Sequence, residues 1–236
     1  MRLLSVNVAE PREVSFRGRT YPTAIFKEPV AGRVRVGRLN LAGDRQGNPR
    51  THGGPDMAVY VYGHEHYDHW RRELGRADLA FGAFGENLTV EGLLEDEVAI
   101  GDVFRVGTAR FQVTEPRTPC HKLAMRFDDP DLPRRFAASG RVGFYFRVLA
   151  EGTVGAGDGI AREARDPAGF TVAEALALWA DRGAGEAALA RALGVEALAA
   201  SWRASFERRL AAARGRGDPA GRPDRQEWDR ERLAWS

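Results

Sequence analysis

Cys120 is the only cysteine among 236 residues, and it stands in Glu115-Pro116-Arg117-Thr118-Pro119-Cys120-His121-Lys122-Leu123. Two prolines hold that stretch extended and out of regular ladders, so Cys120 is expected on a stiff loop at a strand end. Arg117, His121 and Lys122 surround it with positive charge or hydrogen-bond donors, which favours the thiolate. A thiolate serves either as a nucleophile or as a ligand for a soft metal. The competing reading is a small buried hydrophobe. With no second cysteine, an intrachain disulfide and a cysteine-cluster zinc or iron–sulfur site are both excluded.

A second segment, Gly43-Asp44-Arg45-Gln46-Gly47-Asn48-Pro49-Arg50-Thr51-His52-Gly53-Gly54, is a long polar loop without an apolar anchor. Loops of that length inside compact domains commonly carry function, and the glycine pair after His52 allows backbone to approach a ligand and to offer N–H groups to an anion. It holds neither a Walker pattern nor a dinucleotide fingerprint. A third segment, Phe84-Gly85-Glu86-Asn87-Leu88, sets a carboxylate and an amide before a strand-like stretch. They either read the edge of a polar heterocycle or cap a turn. His64-Glu65-His66-Tyr67-Asp68-His69 lacks the zincin spacing, because position 68 is Asp, and reads instead as a solvated helix start with Tyr67 and Trp70 turned inward.

The elements that must position these groups fall into two regimes. Up to about residue 165 the chain reads as short strands, Leu3–Val8, Thr23–Lys27, Gly32–Val36, Ala58–Tyr62, Val98–Val106, Ala109–Thr114, Phe144–Ala150 and Ile160–Ala164, with turn signals between them. Helices are expected at His64–Leu74 and Leu132–Ala138. After Asp166-Pro167 helical periodicity takes over: Thr171 with Glu174 makes a capping box, and helices follow near 185–193 and 195–213. The domains expected are therefore a β unit over 1–165, a three-helix unit over 166–213 and a polar tail over 214–236. Many short strands favour a barrel or sandwich over a doubly wound sheet.

With 35 Lys and Arg against 33 Asp and Glu, the net charge of +2 gives no electrostatic case for nucleic acid or a membrane surface. No apolar run is long enough to span a bilayer, and a cytoplasmic location is expected. The basic residues are 33 Arg and only two Lys, Lys27 and Lys122. Arg replaces Lys freely on a solvated surface but not where a compact ammonium is needed, so both lysines are marked as candidates.

Several ordered stretches resemble the MOSC family, the domain related to the C-terminal part of molybdenum cofactor sulfurase, and within it the YiiM-type bacterial members. They are Thr23-Ala24-Ile25-Phe26-Lys27-Glu28-Pro29-Val30, Leu41-Ala42-Gly43-Asp44-Arg45-Gln46, Thr51-His52-Gly53-Gly54-Pro55-Asp56-Met57-Ala58-Val59-Tyr60, Gly85-Glu86-Asn87-Leu88, Pro116-Arg117-Thr118-Pro119-Cys120-His121-Lys122-Leu123 and Ser139-Gly140-Arg141-Val142-Gly143-Phe144-Tyr145. The resemblance covers nearly all of residues 1–165, and the helices after 170 resemble the three-α-helix appendage of that subgroup. Asn40, where a glycine is expected, and His121, where the subgroup often has an aromatic residue such as Trp, depart from its pattern.

The resemblance implies a predominantly β fold, a MOSC-like β-barrel with peripheral helices, plus the small C-terminal three-helix domain. It implies that molybdenum cofactor, a molybdenum held by a pterin dithiolene, is bound with Cys120 as metal ligand. Lys27, Arg45, Arg117 and Lys122 become candidates for its phosphate or pterin edge, since charge-assisted contacts suit an anionic cofactor. His52, Gly53, Gly54, Glu86 and Asn87 would line the pterin or substrate side, with Cys120, His52 and Asn87 as the catalytic group and Asp44 orienting Arg45 or a loop amide.

The activity implied is reduction of N-hydroxylated purines, hydroxylamines or amidoximes to the N–H compound, as in the mitochondrial amidoxime-reducing component. A separate flavin or iron–sulfur protein would supply the electrons. A non-enzymatic cofactor carrier and a sulfur carrier with a Cys120 persulfide use the same residues, and a cysteine hydrolase is disfavoured by the extended loop. The helical appendage is expected to pack beside the barrel or at a homodimer interface through Trp179, Trp202 and Phe206.

Overall fold

The computed structural model describes residues 1–47 and 53–215. Its strands are β1 (Arg2–Val8), β2 (Arg12–Phe16), β3 (Arg19–Thr23), β4 (Glu28–Pro29), β5 (Val34–Val36), β6 (Val59–Gly63), β7 (Leu88–Glu91), β8 (Val103–Val106), β9 (Ala109–Pro116), β10 (Phe144–Ala150), β11 (Gly152–Val154) and β12 (Ile160–Ala164). The helices are α1 (Tyr67–Leu74), α2 (His121–Phe127), α3 (Leu132–Ala138), α4 (Val172–Ala180), α5 (Glu186–Leu193) and α6 (Ala200–Ala213).

Eight strands form one mixed sheet in the order β12-β8-β9-β10-β6-β7-β1-β4, and β11-β5 and β2-β3 form two smaller pairs. All pairings are antiparallel except β6 with β7, whose crossover contains α1 and the Phe84-to-Asn87 turn. The expectation of a β-rich unit followed by helices holds at that level. A closed barrel is not drawn by strand pairing among the described residues: the sheet ends at β12 and β4, and β1 meets the turn before β12 through an isolated antiparallel bridge, Arg2 with Gly159, and bonds such as Leu3 N–H to Asp158 O (2.9 Å) and Gly157 N–H to Leu3 O (2.8 Å).

Alternation along the central strands buries both faces of this sheet. Val59 and Val61 of β6 and Phe144 and Phe146 of β10 enter one apolar cluster, which also contains Phe104, Phe111, Trp202 and Phe206. Tyr60 and Tyr62 face the other way, into an aromatic cluster with Tyr67, Trp70, Phe84 and Phe136, and Tyr145 packs against it. Tyr67 and Trp70 are fully buried, as the spacing of α1 predicted, with the first turn, His64–His66, wound as a 3-10 helix. The polar tips are satisfied: Trp70 Nε1 donates to the Tyr62 hydroxyl (2.7 Å) and the Tyr60 hydroxyl to Val142 O (2.7 Å).

Local chemistry moves several boundaries. The predicted strand Val98–Val106 begins only at Val103, because Gly101 sits at φ +98° and breaks the ladder. The predicted strand Thr23–Lys27 is instead the end of β3 followed by irregular chain, and β2 with β3 forms a hairpin the sequence did not announce. The capping box at α4 is present in both directions, Glu174 N–H to Thr171 Oγ1 (3.1 Å) and Thr171 N–H to Glu174 Oε2 (2.8 Å).

Candidate functional site

The Cys120 segment leaves the sheet at the end of β9. Arg117 N–H still bonds Gly143 O at the entry to β10 (3.1 Å), and Cys120 is extended (φ −133°, ψ 171°). The stiff loop ends there. His121 opens α2, whose Leu123, Ala124 and Met125 are buried, so the residues after the thiol are helical and not part of an extended loop. Leu, Ala, Met, Lys and Arg are all good helix formers, and the prolines that dominate the segment lie upstream of it. Cys120 is partly exposed, and the His121 ring packs against Tyr21 of β3 (4.9 Å between centroids).

A cleft of about 90 Å³ opens beside Cys120. Its walls come from six places in the chain: Thr23, Ile25 and Lys27; Asp44, Arg45 and Gln46; Met57 and Tyr60; Phe84, Gly85 and Asn87; Arg117, Thr118 and Lys122; and Tyr145. Six of the sequence candidates, Lys27, Arg45, Asn87, Arg117, Cys120 and Lys122, thus meet in one concavity.

Lys27 is buried and forms an ion pair with Asp44 Oδ1. Burial pushes the Lys27 pKa down, and the attraction of Asp44 opposes that shift. Asp44 is itself held by the Ala9 N–H on Oδ1 (2.9 Å) and by Asn87 Nδ2 on Oδ2 (2.8 Å). It orients a loop amide as expected, and it braces Lys27 and Asn87 as well. Asn87 is largely consumed by this frame, since its Oδ1 accepts from Tyr60 N–H (3.0 Å) and its Nδ2 also reaches Asn7 O (3.3 Å).

Glu86 does not line the cleft. Its buried carboxylate accepts Gly82 N–H (2.9 Å), Phe84 N–H (3.1 Å), Thr89 Oγ1 (2.9 Å) and the Tyr67 hydroxyl, so it organises the turn that carries Asn87. Burial raises its pKa. That turn is pressed onto the Lys27 stretch: a Cβ on Gly82 would stand 2.8 Å from Lys27 O and one on Gly85 2.9 Å from Ile25 Cγ1, both at positive φ. Glycine is the residue that fits at both points.

Arg117 is 5% exposed and lies against the rings of Tyr60 (5.4 Å) and Phe136 (5.1 Å). Among the described residues no carboxylate lies within ion-pair distance of it, and its buried Nη1 has no hydrogen-bond partner. A buried guanidinium with an idle donor is costly unless a ligand uses it. Around this charge Lys27, Arg45 and Lys122 outweigh Asp44, so the cleft suits an anionic ligand, with the Cys120 sulfur available to a soft atom of it.

The other candidates lie elsewhere. Arg45 reaches the rim and is exposed, 3.7 Å from Glu10. Gly53 and Gly54 do not line this cleft; Gly54, at φ +93°, starts the 3-10 turn Pro55–Met57 whose last residue does. His52 lies outside the described residues. No group of three or more metal-ligating side chains occurs among the described residues, and His66 is engaged by Glu95 (2.8 Å).

Tyr60 and Tyr145 line the cleft without having been singled out, as does Phe84, of whose segment only Glu86 and Asn87 were given a role. Alternation held the signal: in Val59-Tyr60-Val61-Tyr62 and Phe144-Tyr145-Phe146 the tyrosines occupy the opposite phase from the core residues, on a second face that had to pack against something.

Comparison with known proteins agrees with the architecture. The MOSC domain family model matches residues 48–161 and the YiiM-like 3-alpha helix domain model residues 170–213. The protein YflK of Bacillus subtilis is 43% identical over 204 residues, covering 86% of this chain and 92% of that one. The crystal structure of YiiM from Geobacillus stearothermophilus superposes with a TM-score of 0.76 at 37% identity, over 89% of this chain and 99% of that one. A protein of Gibberella moniliformis named reductase is 37% identical over 146 residues, 61% of this chain and 26% of that longer one.

Proposed function

This chain belongs to the MOSC domain family, with a YiiM-like 3-alpha helix domain after it, and from that membership we propose that it binds molybdenum cofactor in the Cys120 cleft and reduces N-hydroxylated compounds. MOSC domains are associated with molybdenum cofactor, and the family includes a relative named reductase. The observation that carries the reading is the meeting of one thiol with a buried guanidinium that has no carboxylate partner among the described residues: Cys120 and Arg117 line the same cleft, and Arg117 Nη1 lacks a hydrogen-bond partner.

The residues present fit such a group. Cys120 would hold the metal through its sulfur, and Arg117, Lys27, Lys122 and Arg45 would hold the phosphate or the pterin edge of the anionic cofactor. When bound, the cofactor supplies the two-electron redox centre that protein side chains lack. The net reaction, R–NHOH + 2e⁻ + 2H⁺ → R–NH₂ + H₂O, breaks the N–O bond, forms N–H and releases the oxygen as water. A separate flavin or iron–sulfur protein would be the electron donor.

The chain's own part is positional. Asp44 and Asn87 keep Lys27 fixed at the cleft wall, Glu86 holds the turn behind Asn87, and Tyr60, Tyr145 and Phe84 give a planar substrate aromatic surface. Met57 and Ile25 add apolar wall, which excludes water from the reacting centre.

The test is molybdenum and pterin content of protein made in a cofactor-producing host, wild type beside Cys120→Ala. Stoichiometric metal in the wild type and loss of at least about tenfold in the variant are expected; reduction of an N-hydroxylated purine with an electron donor then separates catalyst from carrier. Metal-free wild type after reconstitution, with one labile sulfur per chain lost in Cys120→Ala, would replace this reading with a sulfur carrier.

A further inference from the structure

Two arginines outside the cleft remain unaccounted for. Arg12 on β2 and Arg126 at the end of α2 both rest on the Phe26 ring, at 4.3 and 4.9 Å from its centroid. Neither forms an ion pair among the described residues, and Arg126 Nε is buried without a hydrogen-bond partner. Burial lowers the Arg126 pKa, the nearby charges of Arg76 and Arg12 lower it further, and those of Glu86 and Glu28 oppose them. Two guanidinium groups on one ring, neither of them in an ion pair among the described residues, suit an anionic ligand.

Their place is the cleft's edge. Arg12 is the register partner of Thr23, which lines the cleft; Phe26 lies between the lining residues Ile25 and Lys27; and Arg126 follows Lys122, also lining, by one helical turn. We propose that Arg12 and Arg126 form a phosphate-binding subsite on the rim of the Cys120 cleft, held open by Phe26, for a phosphate-bearing ligand whose other end enters the cleft. Guanidinium forks offer paired N–H donors that match phosphate oxygens, and both arginines rest on the Phe26 ring.

The proposal rests on the proposed function for what fills the cleft, and there the phosphate has two sources: the cofactor, or an N-hydroxylated nucleotide in place of the free base. Arg117 and Lys27 already supply charge in the cleft interior, which leaves the rim pair for the outer end of a longer ligand.

The test is calorimetric titration of the full-length protein, cofactor-free and cofactor-loaded, with adenosine monophosphate and with adenosine, comparing wild type with Arg12→Met/Arg126→Met. Methionine keeps an apolar stem on Phe26 and removes the charge. Wild type is expected to prefer the nucleotide by at least about tenfold, and the double variant to lose that preference. Arg12→Met alone, at an exposed position, should lose at least about threefold and serves if the double variant does not fold.

A preference that survives cofactor loading assigns the subsite to substrate. One seen only in cofactor-free protein assigns it to the cofactor's phosphate. Equal nucleotide affinity in wild type and variants in both states, undetectable binding included, overturns the subsite. Phosphate preference without reduction of an N-hydroxylated nucleotide by loaded protein would instead sink the reductase reading and leave the subsite standing.

Discussion

Glu115 is a buried carboxyl one strand from the cleft, paired in register with Tyr145 and accepting the Ser201 hydroxyl (3.2 Å). Burial pushes its pKa up to about 8 from an ordinary 4.5, and the nearby Asp56 charge adds to the rise. The folded protein therefore keeps a proton that the unfolded chain releases above about pH 4.5, so this contribution is present at low pH and is lost as pH rises from about 4.5 to 8. Thermal melting followed from pH 5 to 8 should fall in the wild type and flatten in Glu115→Gln, the difference reaching at most about 5 kcal/mol. An unchanged slope in the variant would assign the pH dependence to other groups. Asn87→Ala tests the cleft frame: it leaves the Tyr60 amide and one Asp44 oxygen without that partner and should cost about 2–4 kcal/mol in denaturant unfolding. At this scale the sequence was most legible where residue type is the signal. Cys120, Arg117 and both lysines do reach one cleft, whereas Glu86 spends its carboxylate on its own turn, a use that only the path of the backbone reveals.

The element that most affects the site from outside it is α6. Its N-cap residue, Ala199, has no side-chain acceptor, and the sheet unit supplies one: Asp56 Oδ2 accepts Ala200 N–H (3.0 Å), while Arg147 holds Asp56 Oδ1 through Nε (2.9 Å) and Nη2 (2.6 Å). Ala199 N–H bonds Thr114 O (3.1 Å) and Ser201 reaches Glu115, so the start of α6 is fastened to β9 just before the Arg117–Cys120 segment. A carboxylate at an exposed helix start contributes through both its hydrogen bond and the helix dipole. Asp56→Ala should therefore lower stability by about 1–3 kcal/mol and Asp56→Asn by less, measured by urea unfolding; equal losses would mean that the charge carries the whole effect and a neutral acceptor none of it. Local signals explain which elements were legible. The α4 capping box was readable because its chemistry lies within four residues. The β2–β3 hairpin was not, because its turn places Arg17 at φ +50° beside Gly18 at +74°, and Arg is not a residue that announces a left-handed turn.

Across the whole chain, the three-helix unit is less separable than the change of periodicity at residue 166 implies. Val172, Ala175, Leu198, Trp202 and Phe206 belong to the same apolar cluster as Val98, Ile100, Phe111 and Phe146 of the sheet unit. Backbone bonds cross the junction as well, from Ile100 N–H to Phe170 O (2.9 Å) and from Val172 N–H to Val98 O (2.9 Å). The sequence marked where helices begin but not which face of the sheet they cover, because a strand buried on both sides shows the same alternation as one facing water when its second face carries tyrosines. Aromatic side chains bury about 150–250 Å² each, so uncovering the sheet face under Trp202 and Phe206 exposes several kcal/mol of apolar surface. A chain ended at Arg165 is expected to aggregate or to melt at least about 10 °C below the full chain, and to lose the Asp56 and Glu115 contacts behind the cleft. Light scattering with a melting curve checks this. A soluble truncated chain of unchanged melting temperature would show that the helices rest on the sheet without holding it, and would remove α6 as a determinant of where Arg117 and Cys120 stand.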